Sequence, residues 1–310
     1  MQRLAMNLSL FILTWASSQK IYPNELYLPP MDHIEEVIIS PLPHTYIKPE
    51  DLPKNFRWDD VNGKNYLTKN LNQHIPQYCG SCWAHAALSS MADRIKIARG
   101  AKGPDINLSV QAVINCAAQV SGTCHGGNVK AVYEWANKNP VPFDTCQQYK
   151  AIDDECSAIN TCRTCWSFDE KCEAVEDYPF ATISEFGSVI GEKEMMAEIY
   201  QRGPIGCDIN ADPLHDYENG IVDLPDVSDE TDHDVSIIGW GETEEGVPYW
   251  IVRNSWGEYW GEQGWFRIVR GQNQLLIESN CAWGVPGTWT EVSNHGSFLA
   301  SNGKFGIQDH

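Results

Sequence analysis

Eleven cysteines lie between residues 79 and 281 of this 310-residue chain, and the count is odd. They are Cys79, Cys82, Cys116, Cys124, Cys146, Cys156, Cys162, Cys165, Cys172, Cys207 and Cys281. The N-terminus begins with Arg3, an apolar run from Leu8 to Trp15 and the small residues Ala16-Ser17-Ser18. This pattern predicts a secretory signal peptide over 1–18, and in that pathway cysteines pair by default. Ten paired cysteines leave one thiol, and a leftover thiol is a candidate for reactivity. The fold must therefore accommodate several cross-links, concentrated in 141–178, while sparing one sulfur.

The position of Cys82 makes it the best candidate for the spared thiol. Apolar residues recur at Ala84, Leu88, Met91, Ile95 and Ala98, in steps of four and three, and Gly100 follows. This spacing predicts an amphipathic helix with Cys82 at its N-terminal end, where the helix dipole favours a thiolate. Two other readings of Cys79-Gly80-Ser81-Cys82 stay open, a redox dithiol and half of a structural disulfide. A redox dithiol normally follows a buried strand, whereas Asn72-Gln73-His74-Ile75-Pro76 is polar and broken by proline. A zinc site built from Cys156, Cys162, Cys165 and Cys172 is a third class of reading.

A thiol nucleophile needs a base, and His233 is the strongest of nine histidines. It precedes the apolar run Val235-Ser236-Ile237-Ile238-Gly239-Trp240, which would hold its ring on a strand. Asn254 follows the next strand, where its amide can orient the imidazole, and Trp256 can shield that bond from water. Gln73 can donate to a developing oxyanion alongside the Cys82 backbone N–H, with Gln77 as a rival.

Further helices are expected from Ser109, over Val129 to Asn137, and from Glu192 to Tyr200. After Gly203-Pro204, Val235–Gly239, Tyr249–Arg253 and Gly264–Val269 read as strands. A helical first half and a strand-rich second half predict an α+β fold with the site between two layers. Residues 19–51 are proline-rich, lack cysteine and show no sustained helical period. This fits an extended linker or, favoured because a new pattern begins at Leu52-Pro53-Lys54, a propeptide lying across the cleft. The polar tail after Trp289 is expected to be a flexible extension. The net charge of −20 argues against nucleic-acid and anionic-membrane partners. No window after the leader approaches a membrane span.

Taken together, Asn72 through Ala86, Met195-Met196-Ala197-Glu198-Ile199-Tyr200 and Tyr249 through Glu258 resemble the papain family of cysteine proteases, more narrowly its cathepsin carboxypeptidases. The resemblance runs from Leu52-Pro53-Lys54 to about Trp283. It implies a two-layer fold with a helical left half and a β-barrel-like right half, a peptidase domain over 52–310, and a polar extension from about 284. It implies Cys82 as nucleophile, His233 as acid and base, Asn254 as orienter and Gln73 as oxyanion donor. His74, in the His74-Ile75-Pro76 insertion, would bind a substrate's terminal carboxylate with support from Tyr78. Gly126 and Gly127 would lie against the unprimed substrate residues.

The resemblance also implies the disulfides Cys79–Cys124, Cys116–Cys156, Cys146–Cys162, Cys165–Cys172 and Cys207–Cys281. It calls for no metal or organic cofactor. The expected activity is removal of C-terminal residues, with an endopeptidase or aminodipeptidase as the alternative. The expected partners are peptides or proteins with a free C-terminus and the chain's own propeptide. Family proregions can carry a cysteine that blocks the nucleophile covalently, and residues 19–51 have none. A monomeric zymogen in the lysosome or outside the cell is expected. Asp232 and Asp234 flank His233, and a carboxylate beside the ring would raise its pKa. Asn107-Leu108-Ser109 is a glycosylation sequon, and Ser109 is equally a helix N-cap.

Overall fold

The computed structural model describes residues 34–224, 230–293 and 296–301. The expected signal peptide and the start of the expected propeptide, to residue 33, lie outside the described residues. Helix α1 (Cys82–Ala98) is buried almost throughout its first fourteen residues. Leu88, Met91 and Ile95 fill its apolar face, and the small residues Ala84, Ala86, Ala87 and Ala92 let neighbouring elements approach closely. It ends at Gly100, whose φ of 61° is the left-handed conformation that glycine adopts without strain.

Helix α2 (Val110–Cys116) starts at Ser109, whose Oγ accepts the Ala112 N–H at 3.1 Å. Helix α3 (Val129–Lys138) starts at Asn128, which accepts the Ala131 N–H in the same way. Helix α4 (Glu192–Arg202) stops at Gly203, ahead of Pro204.

Nine strands carry most of the second half. They are β1 (Val141–Pro142), β2 (Phe180–Val189), β3 (Ile205–Ile209), β4 (Ile221–Val222), β5 (His233–Glu242), β6 (Pro248–Arg253), β7 (Trp265–Val269), β8 (Cys281–Ser293) and β9 (Gly296–Ser301). The order across the sheet is β1-β2-β8-β3-β5-β6-β7-β4, with Phe56–Arg57 added on β5 and β9 on β8. Neighbours are antiparallel apart from β7 and β4. Among the described residues this path is open, so the strand-rich half is an extended sheet rather than a closed barrel.

Two apolar cores result. One gathers α1, α2 and α3 against Ile183, Phe186 and Trp289, and the other packs α4 on the strands around Trp240, Trp250 and Phe266. Cys82 belongs to the first core, and the strands running from His233 and into Asn254 to the second.

Two further features differ from expectation. The tail is not a loose extension as far as Ser301: β8 continues to Ser293 and pairs with β9. Trp289 is buried, Thr290 accepts the Phe180 N–H, and Glu291 binds the Arg99 guanidinium through two hydrogen bonds. Alternating aromatic and β-branched residues suit a strand even in a polar stretch. Residues 34–51 run along β2 and α4. Val37 bridges Phe186, and Glu185 accepts from the Ile39 and Ser40 N–H groups and the Ser40 hydroxyl.

The cross-links are Cys79–Cys124, Cys116–Cys156, Cys146–Cys162, Cys165–Cys172 and Cys207–Cys281, and Cys82 is the free cysteine. Consecutive residues of α1 join the two layers. Asp93 pairs with Arg253 at the end of β6 and accepts from the Thr68 N–H and hydroxyl. Arg94 binds Glu198 of α4 at 2.9 Å and the Pro204 and Gly203 carbonyls. Burial pushes the Asp93 carboxyl pKa up, against the pull of Arg253. Removing one member of such a pair strands a buried charge. The Asp93→Ala variant should lose about 3–5 kcal/mol of unfolding free energy in urea titrations. A loss below about 1 kcal/mol, the worth of an exposed pair, would contradict this account.

Candidate active site

Cys82 opens α1 and is 4% exposed. Its Sγ lies 3.9 Å from Asp234 Oδ2. Burial and the Asp234 carboxylate push the thiol pKa well up, while the Asp234 and Trp83 backbone amides pull it part of the way back. Burial therefore opposes the thiolate that the helix dipole favours.

His233 stands at the start of β5, and its Nε2 is 2.7 Å from Asn254 Oδ1. The Ser255 N–H donates to the same Oδ1, which identifies that atom as the acceptor and places the ring proton on Nε2. Nδ1 is left as the basic nitrogen. Burial lowers the His233 pKa to about 4, against the opposing Asn254 hydrogen bond. The expected upward push from Asp234 is absent. Successive strand side chains leave by opposite faces, and the Asp234 carboxyl approaches the sulfur instead.

Trp256 packs 4.9 Å from the His233 ring and stacks on His215 at 5.2 Å. His215 was not singled out from sequence. It follows the turn Asp212–Leu214, and no local motif marks it.

Gln73 is 2% exposed and held at three points. Its N–H bonds the Ser255 carbonyl, its Oε1 accepts the Ser255 hydroxyl at 2.6 Å, and its Nε2 donates to the Cys79 carbonyl at 3.1 Å. A primary amide has two N–H groups, so one remains for another acceptor. Gln77 instead is exposed and donates to the Ala151 carbonyl.

In the His74-Ile75-Pro76 insertion the Ile75–Pro76 peptide is cis, and the His74 ring stacks on Tyr78 at 4.8 Å. Burial, with a smaller contribution from His215, lowers the His74 pKa to about 4. Its Nδ1 is buried without a hydrogen-bond partner. Gln73, His74, Tyr78, Cys82, His233 and Trp256 all line one cavity of about 450 Å³.

Gly126 and Gly127 lie outside that lining, in a short antiparallel pair with Gly122–Thr123. A Cβ on Gly127 would sit 2.5 Å from the Trp83 ring, so only glycine fits against α1 there. The rival readings of the cysteines meet a chemical obstacle. Cys79 is bonded to Cys124, and Cys156, Cys162, Cys165 and Cys172 are all in disulfides, which offer no thiolate ligand.

A helix-borne thiol, a strand-borne imidazole and an asparagine holding its far nitrogen define a cysteine-dependent hydrolase site. Residues 52–285 match the papain family cysteine protease model, and the chain belongs to that family. Within it, the chain is 43% identical over 245 residues to cathepsin Z of Onchocerca volvulus, covering 76% of this chain and 79% of that protein. It is a cathepsin Z-like cysteine protease. Two solved structures share the fold. Digestive procathepsin L2 from Tenebrio molitor larval midgut superposes with a TM-score of 0.67 at 25% identity, over 85% of this chain and 78% of that one. Bromelain from Ananas comosus, in complex with the E64 inhibitor, gives 0.61 at 27% identity, over 75% and 99%.

The Gln73→Ala variant should lower kcat by about 10²–10³-fold with little change in KM, since an oxyanion donor acts in the transition state. Steady-state kinetics on one peptide tests this; a rise in KM at unchanged kcat would assign Gln73 to ground-state binding instead.

Proposed function

We propose that the chain is a cysteine carboxypeptidase that removes residues from the C-terminus of peptides and proteins. The observation carrying this reading is that the His74 ring lines the same cavity as Cys82 and His233. A substrate carboxylate beside His74 favours the imidazolium and gains a charge-assisted hydrogen bond that an internal peptide cannot make.

In this mechanism the Cys82 proton passes to His233 Nδ1 as sulfur attacks the last peptide carbonyl. Substrate displaces water from the cleft, and thiolate and imidazolium then form as a pair, each offsetting the other's burial. Gln73 and the Cys82 backbone N–H donate to the oxyanion. The imidazolium then protonates the departing amino acid, leaving a thioester. His233 next takes a proton from water, whose oxygen attacks the thioester and frees Cys82. Asn254 Oδ1 holds the ring through Nε2 at each stage.

Residues 1–18 act as signal and 19–51 as propeptide in this reading, so the enzyme is made as a zymogen for the lysosome or the exterior. Five disulfides suit that route. The Glu185 clasp on Ile39 and Ser40 supports a held strap. Burial raises the Glu185 pKa, but Ser40, Ile39 and Arg202 outweigh it and the net shift is down. A depressed carboxyl stabilises above its unfolded pKa and stops doing so as pH falls through the folded value. The clasp should therefore loosen only below the usual glutamate range, and Glu185→Gln should release the segment at higher pH in a limited-proteolysis time course.

Paired kinetics with a free-acid peptide and its C-terminal amide test the carboxylate anchor. The free acid should be preferred by about tenfold or more, and His74→Ala should abolish the preference. Because His74 is neutral above about pH 4 in the free enzyme, binding the carboxylate takes up a proton. KM for the free acid should accordingly rise with pH, while the amide does not follow. Equal rates on both peptides would leave an endopeptidase.

A further inference from the structure

Asn107-Leu108-Ser109 is the one Asn-X-Ser/Thr triplet after residue 18. Its backbone is extended: the Asn107 carbonyl accepts the Asp144 N–H at 2.9 Å, and the Ser109 N–H donates to the Pro142 carbonyl at 2.9 Å. Successive side chains of an extended segment leave by opposite faces. Ile106 and Leu108 are buried, so Asn107 between them points outward and is only half-buried. It lines a second cavity, of about 380 Å³. His74 lines the catalytic cavity, whereas its neighbour Ile75, 60% exposed, lines this one. The insertion therefore borders both.

The wall is neutral and part apolar. Leu88, Leu108 and the Tyr149 ring contribute to it, and its charged residues, Lys69 and Asp144, pair with each other at 2.8 Å. Burial lowers the His85 pKa to about 4, so that ring is uncharged too. Gln147 also lines the cavity and is 1% exposed, and neither its Oε1 nor its Nε2 has a hydrogen-bond partner among the described residues. A buried amide left this way costs free energy until a donor and an acceptor reach it. The fitting occupant is uncharged, with an apolar face and an amide of its own. N-acetylglucosamine, the sugar that joins a glycan to asparagine, has a ring face of C–H groups and an acetamido group.

We propose that Asn107 carries an N-linked glycan and that its first N-acetylglucosamine seats in this cavity against Ile75, bracing the insertion that holds His74. The donor is an oligosaccharide on a lipid diphosphate. The bond from its anomeric carbon to the phosphate oxygen breaks, a bond to Asn107 Nδ2 forms, the Nδ2 proton passes to a base of the transferase, and the lipid diphosphate leaves. In the folded chain the Ser109 hydroxyl is buried, accepting the Ala112 N–H at 3.1 Å and donating to the Gln147 carbonyl at 2.8 Å. Recognition of the triplet uses that hydroxyl, so transfer precedes both bonds and takes place on the entering chain. Ser109 then caps α2, and its two roles are successive rather than alternative. The modification depends on residues 1–18 acting as a signal, as proposed above.

The test expresses the full chain in eukaryotic cells, once with its own leader and once behind a heterologous signal peptide. Secreted protein is treated with an N-glycosidase in heavy-oxygen water, which converts an occupied asparagine to labelled aspartate, and its peptides are weighed. Asn107 should be labelled in most molecules from both leaders. An unlabelled Asn107 behind the heterologous leader would overturn the proposal. Label found only there would uphold the site and overturn residues 1–18 as the signal. Seating is read by hydrogen–deuterium exchange across residues 72–78. Exchange in the glycosylated protein should be slower by about fivefold or more than in Asn107→Gln, which keeps the Ser109 cap. Folded protein trimmed by an endoglycosidase to a single sugar should keep that protection, and protein stripped of the whole glycan should lose it. Equal exchange in all these forms would overturn the seating.

Discussion

The buried ion pair between Asp93 and Arg253 fixes where the chemistry happens. Asp93 belongs to the helix that begins with Cys82, and Arg253 is the residue before Asn254. One contact therefore sets the distance between the helix that begins with Cys82 and the strand end that carries Asn254. Arg94, next in the helix, does the same toward α4 through Glu198. Charges placed this deep tolerate little displacement, because each loses its partner if the layers slide. Apolar packing alone permits several nearby arrangements, whereas these pairs permit one.

The electrostatics of the resting site follow from the same burial. Cys82 and His233 are both nearly inaccessible, and burial disfavours the charged form of each, raising one pKa and lowering the other. Burial thus works against the thiolate and against the imidazolium when either stands alone. Asp234 reinforces this by placing a carboxyl against the sulfur. A thiolate–imidazolium pair gives each charge the other as its partner, which offsets that penalty.

Much of this was legible in the sequence. The four- and three-residue steps from Ala84 to Ala98 marked α1, and the runs after Gly203-Pro204 marked the main strands. Cys82, His233, Asn254 and Gln73 stood out because each has a motif or an element end around it. What stayed hidden depends on cross-chain register. Asp93 and Arg94 look like an exposed polar turn of a helix until Arg253 and Glu198 are placed against them. Asp234 drew notice beside His233, but only the pleat shows that it faces the sulfur, and only the β3–β5 pairing brings Asp208 to it. The tail read as loose because glycine and polar residues dominate it, while its strand comes from pairing with β8.

The most direct measurement is a time-resolved mass spectrum of one defined peptide digested by the activated enzyme. The account predicts a ladder shortened by single residues from the C-terminus, absent when Cys82 is alkylated. Internal fragments or dipeptides released from the N-terminus would contradict it, leaving the thiol chemistry but removing His74 as the anchor.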